Sequence, residues 1–113
     1  MNVYNVIING NDYSMANTIL NQIKNLKNSM PDANIEVVFN RSAVKTLLKG
    51  SEFIPKVKEI IDSGVKINAC KNTLKGMKLS EDDVDRDAGI GIVPAAVEEI
   101  IKKQAEGYYY LQL

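Results

Sequence analysis

Two hydrophobic rhythms alternate along the chain. Val3–Ile8 is a short run of β-branched and aromatic residues, and the turn-forming string Asn9-Gly10-Asn11-Asp12 closes it. Ser14 then stands as an N-cap, and Met15, Ile19, Ile23, Leu26 and Met30 recur at three- and four-residue spacings on one helical face. Asn21, Lys24, Asn25 and Asn28 fall mostly on the opposite face, and Pro31 ends the helix.

Ile35–Phe39 predicts a second strand. A short helix carrying Val44, Leu47 and Leu48 follows and stops at Gly50. Ser51–Ser63 reads as a third helix, with Pro55 in its first turn, Phe53, Val57, Ile60 and Ile61 facing inward, and Gly64 at its C-cap. Val65–Cys70 predicts the third strand, Asn72-Thr73-Leu74-Lys75 opens a helical turn, and Ser80-Glu81-Asp82-Asp83 resembles a helix start. Ile90–Val93 predicts a fourth strand, and Pro94 begins a last long helix that Gly107 stops. Tyr108–Leu113 predicts a terminal strand. Strands alternating with helices argue for one domain over residues 1–113: a three-layer α/β/α sandwich on a mostly parallel sheet of about five strands.

Composition narrows the chemistry. The 113 residues are 45% hydrophobic and 25% charged, as in a folded globular chain rather than a disordered one. Fourteen basic residues balance fourteen acidic ones, which removes the electrostatic argument for nucleic acid or an anionic membrane as partner. There is no histidine, so a Ser-His-Asp triad, a Cys-His dyad or a His-containing metal site cannot be built. Cys70 is the only cysteine, which excludes an internal disulfide; a zinc or iron–sulfur site would need ligands from several chains. No cofactor and no resident metal are expected. No run approaches the ~18 apolar residues of a membrane span, and the N-terminus does not read as a signal peptide. A cytoplasmic location is the expectation, consistent with a single free thiol.

In parallel α/β sheets ligands bind beyond the carboxyl ends of the strands. Three segments belong there: Asn9–Tyr13, Asn40–Ser42 and Cys70–Thr73. Cys70 ends a strand and directly precedes a helix start, so amides of Asn72, Thr73 and Leu74 and the positive helix end favour thiolate over thiol. Lys71 adds a positive charge, and the Asn72 and Thr73 side chains supply hydrogen-bond donors for an anionic sulfur. The alternation of Val65, Ile67 and Ala69 against Lys66, Asn68 and Cys70 sets Cys70 on the more polar side of its strand. The competing reading is a small buried hydrophobe. Asn9, Gly10, Asn40 and Ser42 outline a candidate pocket, although Asn9–Asp12 matches no phosphate-loop fingerprint and reads first as a turn. Gly89-Ile90-Gly91-Ile92 is a loop-to-strand entry. The acidic residues Glu81, Asp82, Asp83, Asp85 and Asp87 read as a solvated loop rather than a metal site. Tyr108, Tyr109 and Tyr110 place aromatics on both faces of a strand, which suits either a subunit interface or core packing.

Several strings then stand together: Gly64-Val65, Cys70-Lys71-Asn72-Thr73-Leu74-Lys75, Glu81-Asp82-Asp83, Val93-Pro94-Ala95-Ala96-Val97 and Gln104-Ala105-Glu106-Gly107-Tyr108-Tyr109-Tyr110. In this order they resemble the DsrE/DsrF-like family of sulfur-relay proteins; the N-terminal third matches in pattern only. The resemblance implies a small α/β sandwich similar to flavodoxin-like folds, assembled as a homo-oligomer (trimer or hexamer). It also implies a cysteine that carries sulfur as a persulfide, at the position of Cys70, with Asn72 and Thr73 in the adjoining motif. Rhodanese-like or TusA-like sulfur carriers and sibling subunits are the implied partners. The expected function is therefore an intracellular sulfur carrier or sulfurtransferase subunit. The alternatives are a small-ligand or nucleotide-binding module at the three loops, or a non-catalytic subunit in which Cys70 is merely packed.

Overall fold

The computed structural model describes residues 3–113. Five strands form a single all-parallel sheet in the order β4-β3-β2-β1-β5: β1 (Asn5–Gly10), β2 (Asn34–Phe39), β3 (Lys66–Cys70), β4 (Gly91–Val93) and β5 (Tyr109–Gln112). β1 and β2 are central and read as nearly continuous apolar runs, because a parallel sheet is covered on both faces. Val6 registers with Ile35, and Val37 with Ile67.

On one face Val6, Ile8, Ile35, Val37, Phe39 and Ile67 form the larger core with α1 (Ala16–Ser29) and α2 (Ile54–Asp62). Ile19, Leu20 and Ile23 of α1 and Val57 and Ile60 of α2 are buried there, as their helical spacing requires. The opposite face is smaller: Ile7, Val38, Cys70, Val93 and Ala96 are buried beneath α4 (Ala96–Ala105), with Ile100 and Tyr108 packed against them. The chain steps outward from β1 through β2 and β3 to β4, with α1, α2 and Leu74 of the turn after β3 packed on the first face, then crosses the second face through α4 to place β5 beside β1. Parallel crossovers of one hand require that change of face when the direction of travel reverses. Gly64 (φ 106°) and Gly107 (φ 93°) end α2 and α4 in the left-handed region where a side chain would be strained.

Several element ends differ from the sequence expectation. Val3 and Tyr4 precede the first strand instead of belonging to it. Asp12, not Ser14, is the cap: its carboxylate accepts from the Ser14 amide at 2.9 Å and nucleates a 3-10 turn (Tyr13–Met15) before α1 begins. Met15 consequently leaves the apolar stripe and is 45% exposed. The residues after Asn40 form a 3-10 helix, Arg41–Leu47, rather than an α-helix. Ser80 caps only one 3-10 turn (Glu81–Asp83), in a reciprocal box with the Asp83 carboxylate. Among the described residues no helix is long and apolar enough to cross a membrane, and no group of His, Cys, Asp or Glu could hold a metal ion.

Candidate functional site

Cys70 is the last residue of β3 and the N-cap of a short helix, α3 (Lys71–Gly76). Its neighbour on β4 is Val93, in register with it. At this pair of strands the outgoing chain diverges: Leu74 of α3 packs into the larger core, whereas the segment after Val93 turns to the other face to start α4. Such divergence opens a crevice at the carboxyl ends of neighbouring strands. Here α4 closes it. The Ala96 amide, first in the helix and without an intrahelical acceptor, donates to Cys70 Sγ at 3.3 Å. The Asn72 amide donates to the Pro94 carbonyl at 3.3 Å and ties the two helix starts together.

Burial pushes the Cys70 thiol up, but hydrogen bonds outweigh it: from the Thr73 hydroxyl and amide first, then from the Ala96 and Asn72 amides. The thiol is left below the ordinary cysteine range. These donors stabilise the anionic sulfur without any imidazole or metal. Thr73 is itself held in place, since its Oγ1 accepts from the Arg41 amide at 3.3 Å. Arg41 adopts a left-handed φ of 49° to present that amide, a conformation unusual for a side-chain-bearing residue. Lys71 points elsewhere: its Nζ lies 3.6 Å from Glu81 Oε2, an exposed pair that Arg86 shares.

The strand alternation places Cys70 on the side of Lys66 and Asn68, but that side is not uniformly polar. Lys66 is exposed at the strand start, Asn68 half-buried, and Cys70 only 4% exposed beneath α4. A local pattern does not register which end of a strand a distant helix covers.

The other candidate residues divide. Asn9 is buried and its Nδ2 donates to the Val38 carbonyl (3.0 Å) and to Asn40 Oδ1 (3.1 Å). Ser42 Oγ accepts from the Tyr13 amide at 2.9 Å. The loops after β1 and β2 are thus laced to one another, and the Arg41–Thr73 bond joins them to the Cys70 loop. Gly10 faces the larger core, where the Phe39 ring fills the space a Cβ would need, 2.5 Å from its Cε1. Tyr108 is half-buried beneath α4 with Lys103 Nζ 5.1 Å from its ring centroid, while Tyr109 lies against Tyr4 at 6.0 Å and is 64% exposed. Asp82, Asp83 and Asp87 are exposed.

Sequence reasoning missed Ala96 and Pro94 as part of this site, and Arg41 behind it. Pro94 after a strand signalled a helix start. That this start meets Cys70 depends on β3 pairing with β4, which no local pattern reveals.

Comparison with known proteins adds the family to this geometry. The profile of the DsrE/DsrF-like family matches residues 1–113. Among solved structures, MTH1491 of Methanobacterium thermoautotrophicum, a protein of unknown function, superposes with a TM-score of 0.89 at 29% identity, over 97% of this chain and 99% of that one. The ychN protein of E. coli superposes at 0.74 and 15% identity, over 98% and 100% of the two chains. BT1422 of Bacteroides thetaiotaomicron, a conserved protein of unknown function, does so at 0.71 and 15%, over 95% and 94%. At 15% identity the last two likenesses speak to the fold alone. No curated protein matches the sequence.

Proposed function

The chain belongs to the DsrE/DsrF-like family, and from that premise we propose that it is an intracellular, cytoplasmic sulfur carrier or sulfurtransferase subunit that holds sulfur as a persulfide on Cys70. The observation that carries this reading is the Ala96 amide, which donates to Cys70 Sγ at 3.3 Å where β3 ends and α3 begins. A site that stabilises thiolate by hydrogen bonding alone also suits a persulfide anion, the more acidic of the two species. The Cys70 thiolate attacks the terminal sulfur of a donor persulfide; a new S–S bond forms at Sγ, the donor S–S bond breaks, and its electron pair leaves on the donor thiolate. An acceptor thiolate then attacks the same terminal sulfur and returns Cys70 as thiolate, so no net oxidant is consumed. With no second cysteine in the chain, donor and acceptor are both other molecules. Rhodanese-like or TusA-like carriers are the partners this reading expects.

Because Cys70 is nearly buried, loading requires the chain that covers its sulfur to move aside. Assembly is the second part of the proposal. α4 turns Val97 (71% exposed) and Ile101 (66% exposed) outward one helical turn apart, and β5 is an edge strand that itself carries the exposed Tyr110 and Leu111. An apolar ridge beside an open strand edge suits burial against another copy of the chain, in a trimer or hexamer. Replacing Cys70 by Ser is expected to abolish sulfur loading while leaving fold and assembly intact. A Cys70→Ser protein that still takes up labile sulfur overturns the carrier reading.

A further inference from the structure

Basic and acidic residues balance in number, but the basic ones are not spread evenly over the molecule. Residues 41–50 and 71–80 hold Arg41, Lys45, Lys49, Lys71, Lys75 and Lys78, six of the fourteen basic residues, and no acidic one. The two stretches are distant in sequence and adjacent in space, because β2 and β3 are neighbours and each stretch follows its strand at the carboxyl end. The Arg41 amide, donating to Thr73 Oγ1 at 3.3 Å, fastens one to the other. Val44 and Leu47 of the first and Leu74 of the second turn into the larger core, which leaves the cations outside. Five of the six are exposed and Lys71 is half-buried.

Most of this charge has no counter-ion in the fold. Lys71 pairs with Glu81. Among the described residues Arg41, Lys45, Lys49, Lys75 and Lys78 form no ion pair. The acidic stretch 81–87 bounds the patch on one side: the Lys49 amide donates to the Asp83 carbonyl at 2.9 Å, and Leu48 bridges to Val84. At the same end of the sheet the loop after β1 brings one carboxylate, Asp12, which already accepts from the Ser14 amide and hydroxyl at 2.9 and 2.8 Å. The loop after β4 brings only the uncharged Pro94 and Ala95. The thiol at this end is Cys70, three residues before the Thr73 that Arg41 holds.

We propose that this basic patch is the docking surface for the protein that exchanges sulfur with Cys70, and that the partner presents Asp and Glu side chains around its own reactive cysteine. The inference deepens the sulfur-carrier reading, on which the role of Cys70 rests. Exposed cations without counter-ions attract an acidic surface over about a Debye length, roughly 8–10 Å, and speed its encounter in the right orientation. The patch fits a protein better than a nucleic acid. It is short, an acidic stretch that repels a continuous polyanion bounds it, and uncharged Pro94 and Ala95 adjoin it, a mixture usual at protein interfaces. It lies over β2 and β3, away from the β5 edge, so the assembly proposed above does not use it.

The test uses synthetic peptides that differ only in the residues flanking one cysteine, Glu, Ser or Lys, each as its mixed disulfide with 5-thio-2-nitrobenzoate. The Cys70 thiolate attacks the peptide sulfur, a disulfide to the peptide forms, and thionitrobenzoate leaves with the electron pair of the broken S–S bond. At about 20 mM ionic strength the Glu peptide is expected to react about tenfold faster than the Lys peptide, and the ratio falls to near one at about 0.5 M, where screening acts within about 4 Å. Arg41→Gln with Lys75→Gln cuts that ratio about threefold or more and leaves the Ser peptide unchanged. Lys66→Gln with Lys102→Gln, the same change of net charge toward the opposite end of the strands, keeps the ratio. Equal rates for the three peptides, or the same loss of ratio in both double variants, overturns the proposal. If Arg41→Gln slows the Ser peptide too, by disturbing Thr73, then Lys45→Gln with Lys75→Gln decides. Docking is also read without the thiol: in Cys70→Ser, the Glu peptide with Ser in place of Cys shifts the 15N–1H signals of Arg41, Lys45 and Lys75. A uridine oligonucleotide that displaces it at lower concentration overturns the assignment to a protein. Sulfur loading that fails while the Glu peptide docks removes only the carrier reading, and loading without docking removes only this one.

Discussion

At the scale of single residues, the structure assigns Cys70 its character through neighbours that donate hydrogen bonds rather than charge. Thr73 is first among them. Thr73→Val keeps the shape and removes the hydroxyl, so the thiol rises and native alkylation at pH 7 slows about three- to tenfold. Thr73→Ser restores the rate, and a Val variant as fast as wild type contradicts the assignment. Two residues away from the site make plain stability predictions. Gly10→Ala drives a methyl into the Phe39 ring and costs about 2–3 kcal/mol in urea unfolding. The buried hydroxyl of Thr46 lacks a hydrogen-bond partner, so Thr46→Val stabilises by roughly 1 kcal/mol. The motif from Cys70 to Thr73 was legible in the sequence, because a nucleophile between a strand and a helix start is a local pattern. The burial of Cys70 was not legible, because it comes from α4, which begins 26 positions later and meets the thiol only through the β3–β4 pairing.

Among the elements, α4 carries much consequence for little buried surface. Of its ten residues only Ala96 is fully buried, and the half-buried positions below it include the charged Glu99 and Lys103. A helix seated this way responds to the ionisation of what lies beneath it. Glu36 has its native value raised from 4.5 to about 7, so the stability its neutral form contributes is complete below pH 4.5 and is lost as pH rises through 7. Relative to Glu36→Gln, the wild type should lose roughly 3 kcal/mol at most between pH 5 and 8. Parallel stability profiles for the two proteins would contradict a buried titrating carboxyl. Element types were largely readable from the chain, since strands rich in β-branched residues alternate with amphipathic helices. Their ends were less so. Asp12 competes with Ser14 for the cap and wins by accepting from the Ser14 amide. Glu36, set in the apolar run Ile35–Phe39, looked like an ordinary strand residue because its partners Asn68 and Lys103 are remote in sequence.

For the whole molecule, the sheet order explains both the site and the surface left over. Sending the chain back across the sheet through α4 closes the crevice above Cys70 and also leaves β5 as an edge beside an apolar ridge. Val97→Asp combined with Ile101→Asp should reduce the native mass to that of a monomer, with secondary structure retained, because both side chains are exposed in the isolated chain. An unchanged oligomer would place the interface elsewhere. The parallel α/β architecture was expected from alternation alone, whereas the order β4-β3-β2-β1-β5 follows from long-range pairing that alternation does not encode. The central claim is that Cys70 carries sulfur. It is tested most directly by the intact mass of the protein after incubation with a cysteine desulfurase and cysteine, with Cys70→Ser treated alongside. The account predicts a gain of one reductant-labile sulfur on the wild type and none on the variant; no gain on the wild type, or the same gain on both, contradicts it.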